Sequence, residues 1–235
     1  MITVKHLHKY YQVGGQRIVA AEDISFRIEK GEMLAIVGHS GSGKTTLLSL
    51  IGGLTRPEKG EVEIDGVNLW SMDDNRLSRF RNRNISFIYQ FASLIPTLTV
   101  YENIILPTAF GSYSEDTDAR AQFILERVGL EKQSRYYPAQ LSGGQQRRVA
   151  IARAFINRPA VVLADEPTGD LDETTENVIM GLFADLNREE NITFMIVTHS
   201  SEIAGRADRR MQMKDGRLTS PPLSPLAEDL SQDTL

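Results

Sequence analysis

Short apolar runs recur along the chain and predict β-strands. They lie at residues 2–5, 24–28, 33–37, 62–64, 85–89, 161–163, 194–197 and 210–213. The first, second and fourth runs alternate partly with polar residues and flank glycine-containing turns at 14–15 and 65–66, so they favour an antiparallel sheet. The runs that begin at Met33, Val161 and Phe194 are continuously apolar, which is typical of strands covered on both faces of a parallel sheet.

Between about residues 90 and 157 the apolar positions change to a helical spacing. Residues 116–128 and 145–156 each carry apolar side chains near the period of an α-helix. These helices separate the strand that ends near Gln90 from the strand at Val161. We therefore predict an α/β fold into which a helical subdomain, about residues 91–157, is inserted.

Composition narrows the classes of protein that such a fold could serve. The chain has 235 residues, of which 41% are hydrophobic, enough for one globular domain with a subdomain. Its net charge of −5 argues against a nucleic-acid partner, and the lack of cysteine excludes a disulfide framework. No apolar run approaches the ~20 residues that span a bilayer. Since no signal peptide precedes the first strand, we expect the chain itself to be soluble and cytoplasmic.

From Thr219 onward the sequence is broken by prolines and carries acidic side chains. Such a composition is typical of disordered segments. We therefore predict one domain over residues 1–218 and a disordered tail over residues 219–235. Docking of this tail on a partner is the alternative.

A glycine-rich loop joins the apolar strand at 33–37 to a helical run at 46–51. Strand, loop and helix in this order are the context of a phosphate-binding loop, in which N–H groups line one concavity at a helix N-terminus. Lys44 would reach the β- and γ-phosphates, and the Thr45 hydroxyl would ligate Mg²⁺. A chance glycine-rich turn is the alternative to this nucleoside triphosphate site. Its residues are Gly38, His39, Ser40, Gly41, Ser42, Gly43, Lys44, Thr45 and Thr46.

The apolar strand at Val161 ends in two consecutive acids, Asp165 and Glu166. Carboxylates are costly to bury at the end of an apolar strand, so they usually serve a purpose there. Asp165 could hold Mg²⁺, usually through water. Glu166, which projects the opposite way, could act as a general base toward an attacking water. A cap for the following turn is the alternative.

The segment Leu141, Ser142, Gly143, Gly144 and Gln145 precedes a predicted helix. Ser142 can cap that helix, and the glycines leave N–H groups open to an anion. Together with residues 137–153, 164–172 and 197–199, this signature segment resembles the ATP-binding-cassette ATPases, and the resemblance extends over residues 1–218. It implies a P-loop NTPase core, mainly a parallel sheet flanked by helices, with an antiparallel β subdomain and an inserted α-helical subdomain. It also implies ATP and Mg²⁺ as cofactors.

The resemblance assigns further roles at matching positions. Tyr11 would stack on adenine, with Tyr10 as the weaker candidate. Gln90 would contact both Mg²⁺ and the attacking water, so it joins Thr45 and Asp165 as a metal ligand. Glu166 would be the catalytic base. His199 would sense the γ-phosphate and stabilise charge there, which makes Gln90, Glu166 and His199 the catalytic set.

The resemblance also implies a homodimer, because the signature segment of one chain closes over ATP held by the phosphate loop of the other. Asp172 belongs to a loop that would contact the opposing chain. Since the sequence contains no membrane span, a separate transmembrane permease would supply it. We expect it to dock between Gln90 and Tyr101 and to hold the chain peripherally at the cytoplasmic face of the inner membrane; internal packing of this segment is the alternative.

Residues 136–145 and 164–172 are most similar to a group that contains lipoprotein-releasing, macrolide-exporting and cell-division ATPases. Asp170 departs from this group, where Asn is common, and so does His39, where a small residue or Pro is usual. We expect ATP-driven export or mechanical extrusion of a lipoprotein, drug or other amphiphile. A transmembrane signalling ATPase of the same family is the alternative. A cassette that acts on nucleic acid or ribosomes would usually carry two cassettes or long insertions.

Overall fold

A computed structural model describes residues 1–111, 116–169 and 171–219. Of the tail predicted over 219–235, only Thr219 belongs to these ranges, and Asp170 lies outside them as well. The strands are β1 (Ile2–Val13), β2 (Gln16–Ile28), β3 (Met33–Val37), β4 (Lys59–Ile64), β5 (Val67–Asn68), β6 (Ile85–Ile88), β7 (Val161–Asp165), β8 (Thr193–Thr198), β9 (Arg209–Lys214) and β10 (Arg217–Thr219). The α-helices are α1 (Lys44–Ile51), α2 (Asp74–Asn84), α3 (Val100–Ile105), α4 (Thr117–Arg127), α5 (Gly143–Ala154), α6 (Glu173–Glu190) and α7 (Ser201–Gly205).

An antiparallel sheet forms from the strands that alternate in polarity, in the order β2-β1-β4-β5. β1 and β2 are joined at Gly14 and Gly15, which both have positive φ, as the two-residue turn of a hairpin requires. Both strands run well beyond the predicted segments because their outer residues pair in the hairpin while remaining exposed. The prediction of an antiparallel sheet from these three runs is confirmed.

A second sheet has the order β10-β9-β3-β8-β7-β6, and its strands β6, β7, β8, β3 and β9 are parallel. β3, β7 and β8 are almost entirely buried, as their continuous apolar runs indicated. Pairing of Val37 with Thr198 and of Asp165 with Val197 aligns the carboxyl ends of β3, β8 and β7 at one edge of the sheet. The α/β fold predicted from the sequence is confirmed.

Two apolar cores hold these layers together. One lies between the antiparallel sheet and the parallel sheet and includes Ile2, Leu34 and Leu50. The other packs helices against the opposite face, where the rings of Phe155, Phe183 and Phe194 meet.

β6 and β7 are neighbours in the parallel sheet although α3, α4 and α5 lie between them in the sequence. The prediction placed these helices in an inserted subdomain over residues 91–157. Within the described ranges, no helix combines the length and apolar character that crossing a membrane requires.

Candidate active site

The turn between β3 and α1 brings the phosphate-binding loop against two other strands. A Cβ on Gly38 would lie 2.3 Å from the Met213 carbonyl oxygen of β9, and a Cβ on Gly43 would lie 2.2 Å from the Ala20 carbonyl oxygen of β2. Gly43 also has a φ of 105°, which side-chain-bearing residues rarely adopt. Only glycine therefore lets the loop approach both strands and turn into α1.

The N-terminus of α1 is left open toward the loop. Its N-cap is Gly43, no side chain caps the first turn, and no acidic residue lies in that turn. Unpaired N–H groups and the positive end of the helix dipole together favour an anion. Lys44, only 9% exposed, donates from Nζ to the carbonyl oxygens of Gly38 at 2.7 Å and His39 at 3.1 Å. The backbone of the loop therefore surrounds the ammonium group of its own Lys44.

Two candidate metal ligands meet at the end of β7. The Thr45 hydroxyl donates to Asp165 Oδ2 at 2.7 Å, which links the first turn of α1 to the strand end. Burial raises the pKa of Asp165, and the neighbouring Glu166 carboxylate acts in the same direction, whereas the Thr45 hydrogen bond and the charges of Lys44 and Arg147 lower it. Hydroxyl and carboxylate oxygens are the donors that Mg²⁺ prefers, since it takes few protein ligands and relies on phosphate and water for the rest.

Glu166 is held in a fixed orientation beside this pair. Thr198 Oγ1 donates to its Oε2 at 2.8 Å, and His199 Nδ1 lies 2.8 Å from its Oε1. Its backbone has a φ of 45°, a left-handed conformation uncommon outside glycine, and its N–H donates to the Val197 carbonyl oxygen at 2.9 Å. The carboxylate is largely buried, while the His199 side chain is exposed.

These groups surround one cavity of about 440 Å³. Most of the residues that we predicted to bind phosphate, to hold metal or to act in catalysis are therefore brought together. Gln90 lies on the cavity wall, exposed and two residues beyond the end of β6, so the strand is one residue shorter than the predicted run at 85–89. The lining residues are Ile18, Val19, Ala20, Ser40, Gly41, Gly43, Lys44, Thr45, Thr46, Gln90, Asp165, Glu166 and His199.

Tyr11 lies just beyond this lining. It pairs with Ile18 across the hairpin, so the two side chains share a face of the sheet, and Ile18 itself lines the cavity. The ring of Tyr10 is covered by the Arg17 guanidinium, 3.5 Å from its centroid. Lys9 Nζ lies 5.6 Å from the centroid of the Tyr11 ring, and Tyr10 pairs with Val19, which also lines the cavity, so both tyrosines stay candidates for stacking on adenine.

The signature segment does not line the cavity. Ser142 caps α5, as predicted: its Oγ accepts from Gln145 N–H at 3.3 Å, and its own N–H donates to Gln145 Oε1 at 2.9 Å. Ser142 and Gly143 are exposed, and no atom lies within 4 Å of a Cβ built on Gly143. Asp172 caps α6 and is likewise absent from the lining. The exposed start of α5 therefore lies outside the cavity that the phosphate-binding loop of the same chain forms.

Sequence reasoning missed two parts of this site. The strand residues Ile18 to Ala20 form one wall, and their sequence carries no motif. Thr198, which orients Glu166, stands next to the predicted His199, but a single threonine at a strand end signals nothing by itself.

The segment between Gln90 and Tyr101 both packs inward and exposes apolar surface. Phe91 is 74% exposed, whereas Val100 is fully buried. The buried Asn103 side chain accepts from Ile95 N–H at 2.8 Å and donates to the carbonyl oxygens of Ile95, Leu98 and Thr99 at 2.9–3.1 Å. Internal packing therefore accounts for Val100 and for the backbone at Ile95, whereas the side chain of Phe91 stays exposed.

Comparison with known proteins extends these observations. The family model "ABC transporter" matches residues 21–169. "Lipoprotein-releasing system ATP-binding protein LolD" of Bordetella pertussis is 45% identical over 92% of this chain and 94% of its own length, and the proteins of that name from Bordetella parapertussis and Bordetella bronchiseptica give the same values. A dimeric post-hydrolysis structure of the ATP-binding cassette MJ0796 bound to ADP and Pi is 41% identical, with a TM-score of 0.86 over 94% of this chain and 98% of that one. The cbiO1 protein of Clostridium perfringens is 29% identical, with a TM-score of 0.81 over 93% of this chain and 86% of that one.

Proposed function

This chain is an ATPase of the ABC transporter family, and we propose that two copies of it close on ATP and drive the membrane subunit of a lipoprotein-releasing system. The extent of the likeness to lipoprotein-releasing ATP-binding proteins supports this choice of cargo. The chain would sit peripherally at the cytoplasmic face of the inner membrane, bound through its membrane partner.

The proposal rests mainly on one observation: the groups needed for hydrolysis lie at two separate places in a single chain. The cavity is lined by the residues that we propose to bind phosphate, to hold Mg²⁺ and to act as the base. The signature segment, with the hydroxyl of the exposed Ser142 and the N–H groups at the start of α5, lies outside it. Donors of this kind stabilise charge on a γ-phosphate only when they lie against it. A second copy, related by a two-fold axis, would bring its signature segment over the cavity and complete both sites at once.

The residues in the cavity divide the chemistry between them. Lys44 and the open N-terminus of α1 bind phosphate charge, and Thr45 with Asp165 would hold Mg²⁺, which neutralises charge on the β- and γ-oxygens. Gln90 orients the attacking water. Glu166 accepts a proton from that water while Thr198 and His199 fix its two oxygens.

ATP hydrolysis would then be coupled to movement of the membrane subunit. Loss of the γ-phosphate removes the charge that joins the two chains, so the dimer opens. The membrane subunit would dock near Gln90, where Phe91 and Ile95 expose apolar surface beside the cavity. The Asn103 side chain holds the backbone of Ile95 in place by two hydrogen bonds. A short cytoplasmic helix of the partner fits such a surface.

The test uses a variant that traps the closed dimer and identifies the membrane proteins bound to it. Tagged Glu166→Gln is incubated with Mg²⁺-ATP and detergent-solubilised inner membranes, and bound proteins are identified by mass spectrometry. We expect a dimer by light scattering and a partner with few spans and a large outer domain, neither of which the Lys44→Ala control should give. The complex reassembled with the unmodified chain, which retains Glu166, should then release a lipoprotein from proteoliposomes when ATP is added. A many-span permease, or no release, would contradict the proposal.

A further inference from the structure

Arg147 on α5 binds three backbone carbonyl groups of the active site. Its side chain is 4% exposed. Nε donates to the Pro167 carbonyl oxygen at 3.0 Å, Nη2 donates to that of Glu166 at 2.6 Å, and Nη1 donates to that of Tyr89. The planar guanidinium presents several donors in a fixed arrangement, so one side chain can join peptide units from two different strand ends.

Two of these carbonyls belong to peptide units next to a group in the cavity. The Tyr89 carbonyl is part of the peptide bond to Gln90. The Glu166 carbonyl belongs to the residue with the left-handed backbone, whose N–H is bound by Val197 on β8. Glu166 is therefore fixed from one side by β8 and from the other by Arg147. A left-handed non-glycine residue persists only where its surroundings determine it in this way.

The position of Arg147 on α5 connects this clamp to the signature segment. α5 begins at Gly143, so Arg147 follows it by about one helical turn. A movement of the signature end of α5 would carry the guanidinium with it and shift the peptide units that it binds. Because the side chain is buried, these contacts are not the incidental ones of a solvated surface charge.

We propose that Arg147 is a positioning residue, which sets Gln90 and Glu166 from the helix that carries the signature segment. The role rests on the proposed dimer, in which the signature segment of a chain serves one ATP site while Gln90 and Glu166 of that chain serve the other. Closure at one site is then transmitted through α5 and Arg147 to the catalytic carboxylate of the second.

Arg148 provides a matched control on the same helix. Its Nη1 donates to the Val128 carbonyl oxygen at 2.6 Å, so it also ties α5 to a backbone carbonyl, but at the end of α4 rather than at the cavity. Arg148 is half-buried. If each arginine only supports the fold, its loss should give similar effects at the two positions.

The test compares Arg147→Gln, Arg147→Lys and Arg148→Gln for thermal unfolding, binding of a fluorescent ATP analogue and steady-state turnover. We expect Arg147→Gln to lower kcat by about 30-fold with binding changed by less than about threefold, and Arg148→Gln to leave kcat within about threefold. Arg147→Lys should fall between Arg147→Gln and the unmodified chain, since one ammonium keeps the charge but cannot span three carbonyls. Equal losses of kcat at positions 147 and 148, or an Arg147→Gln kcat within about twofold of the unmodified chain, would overturn the proposal.

A second measurement separates positioning from damage to the signature segment. In the Glu166→Gln background, Arg147→Gln should still give the ATP-dependent dimer by light scattering, because Ser142 and the glycines are unchanged. A double variant that stays monomeric where Glu166→Gln alone dimerises would mean that α5 itself is disrupted, and the proposal would fall. If Glu166→Gln alone stays monomeric, the proposed dimer fails, while the comparison of kcat at positions 147 and 148 still decides the local role of Arg147.

Discussion

Glu166 Oε1 lies 2.8 Å from Nδ1 of His199, and this contact joins the residue that follows β7 to the residue that follows β8. Thr198 occupies the other carboxylate oxygen. Both oxygens of the proposed base are therefore oriented before any substrate binds. Such preorganisation matters because a base must stand at hydrogen-bonding distance from the water that it activates.

Replacing Glu166 by Gln tests the role of this carboxylate directly. The amide can still accept from Thr198, so the local structure should be kept, but it cannot take a proton from water. We expect turnover to fall by about two orders of magnitude or more while ATP binding is retained. Phosphate release and titration with a fluorescent nucleotide measure the two effects separately. Turnover near that of the unmodified chain would remove Glu166 from the role of base.

Thr198→Val tests the support of the carboxylate. Valine keeps the shape of this fully buried side chain but removes the donor to Glu166 and the acceptor for Ser200 N–H, which binds Thr198 Oγ1 at 3.0 Å. We expect kcat to fall by about tenfold with little change in nucleotide affinity. Thr198→Ser keeps the hydroxyl and serves as the control. Equal kcat values for the two variants would show that the hydroxyl does not orient the base.

Two glycines of the phosphate-binding loop distinguish the cost of a strained backbone from the cost of a steric clash. Gly41 has a φ of 79° with open space around a built Cβ, whereas Gly43 combines a φ of 105° with an oxygen atom at 2.2 Å. We expect Gly43→Ala to lower the free energy of unfolding by about 2–5 kcal/mol, and Gly41→Ala by about 1–2 kcal/mol. Urea titrations measure both values. Equal losses would mean that the approach of the loop to β2 contributes nothing.

The same loop shows what sequence can and cannot predict. A motif of adjacent residues fixes its own local geometry, so the loop, the strand β3 and the cap at Ser142 were predictable from their sequences. The walls of the cavity were not, because Ile18 and Thr198 acquire their roles only when β2 and β8 are placed beside the loop. Strand ends were also poorly predicted. β1 extends to Val13 because hairpin pairing continues where burial stops.

Asp165 is expected to make the nucleotide-free chain less stable at neutral pH. Burial raises its pKa above the ordinary value of 3.8, so the folded chain binds this proton more tightly than the unfolded chain does. The free energy of unfolding therefore falls as pH rises from about 3.8 through the folded pKa, and stays lower above it. Asp165→Asn keeps an acceptor for Thr45 and should melt at a higher temperature than the unmodified chain at pH 7.

Two comparisons check this assignment. The advantage of Asp165→Asn should shrink as the pH falls toward 4 and vanish below about 3.8, because the folded carboxyl takes up its proton first and the unfolded one follows. Mg²⁺-ATP should raise the melting temperature of the unmodified chain more than that of the variant, since the lost carboxylate is a proposed metal ligand. An advantage that is the same at pH 4 and pH 7 would assign the effect to something other than ionisation.

The exposed ring of Phe91 allows a test of docking on the membrane subunit rather than of ATP hydrolysis. Because this side chain is 74% exposed, Phe91→Ala should change neither the melting temperature nor the ATP turnover of the isolated chain by a measurable amount. If Phe91 packs against the membrane subunit, the variant should lose about tenfold in affinity for that subunit, which is about 1.4 kcal/mol. Val178→Ala removes a partly exposed apolar side chain from α6 and is the control. Surface plasmon resonance with the detergent-solubilised partner measures the affinities, and equal values for the two variants would move the docking surface away from Phe91.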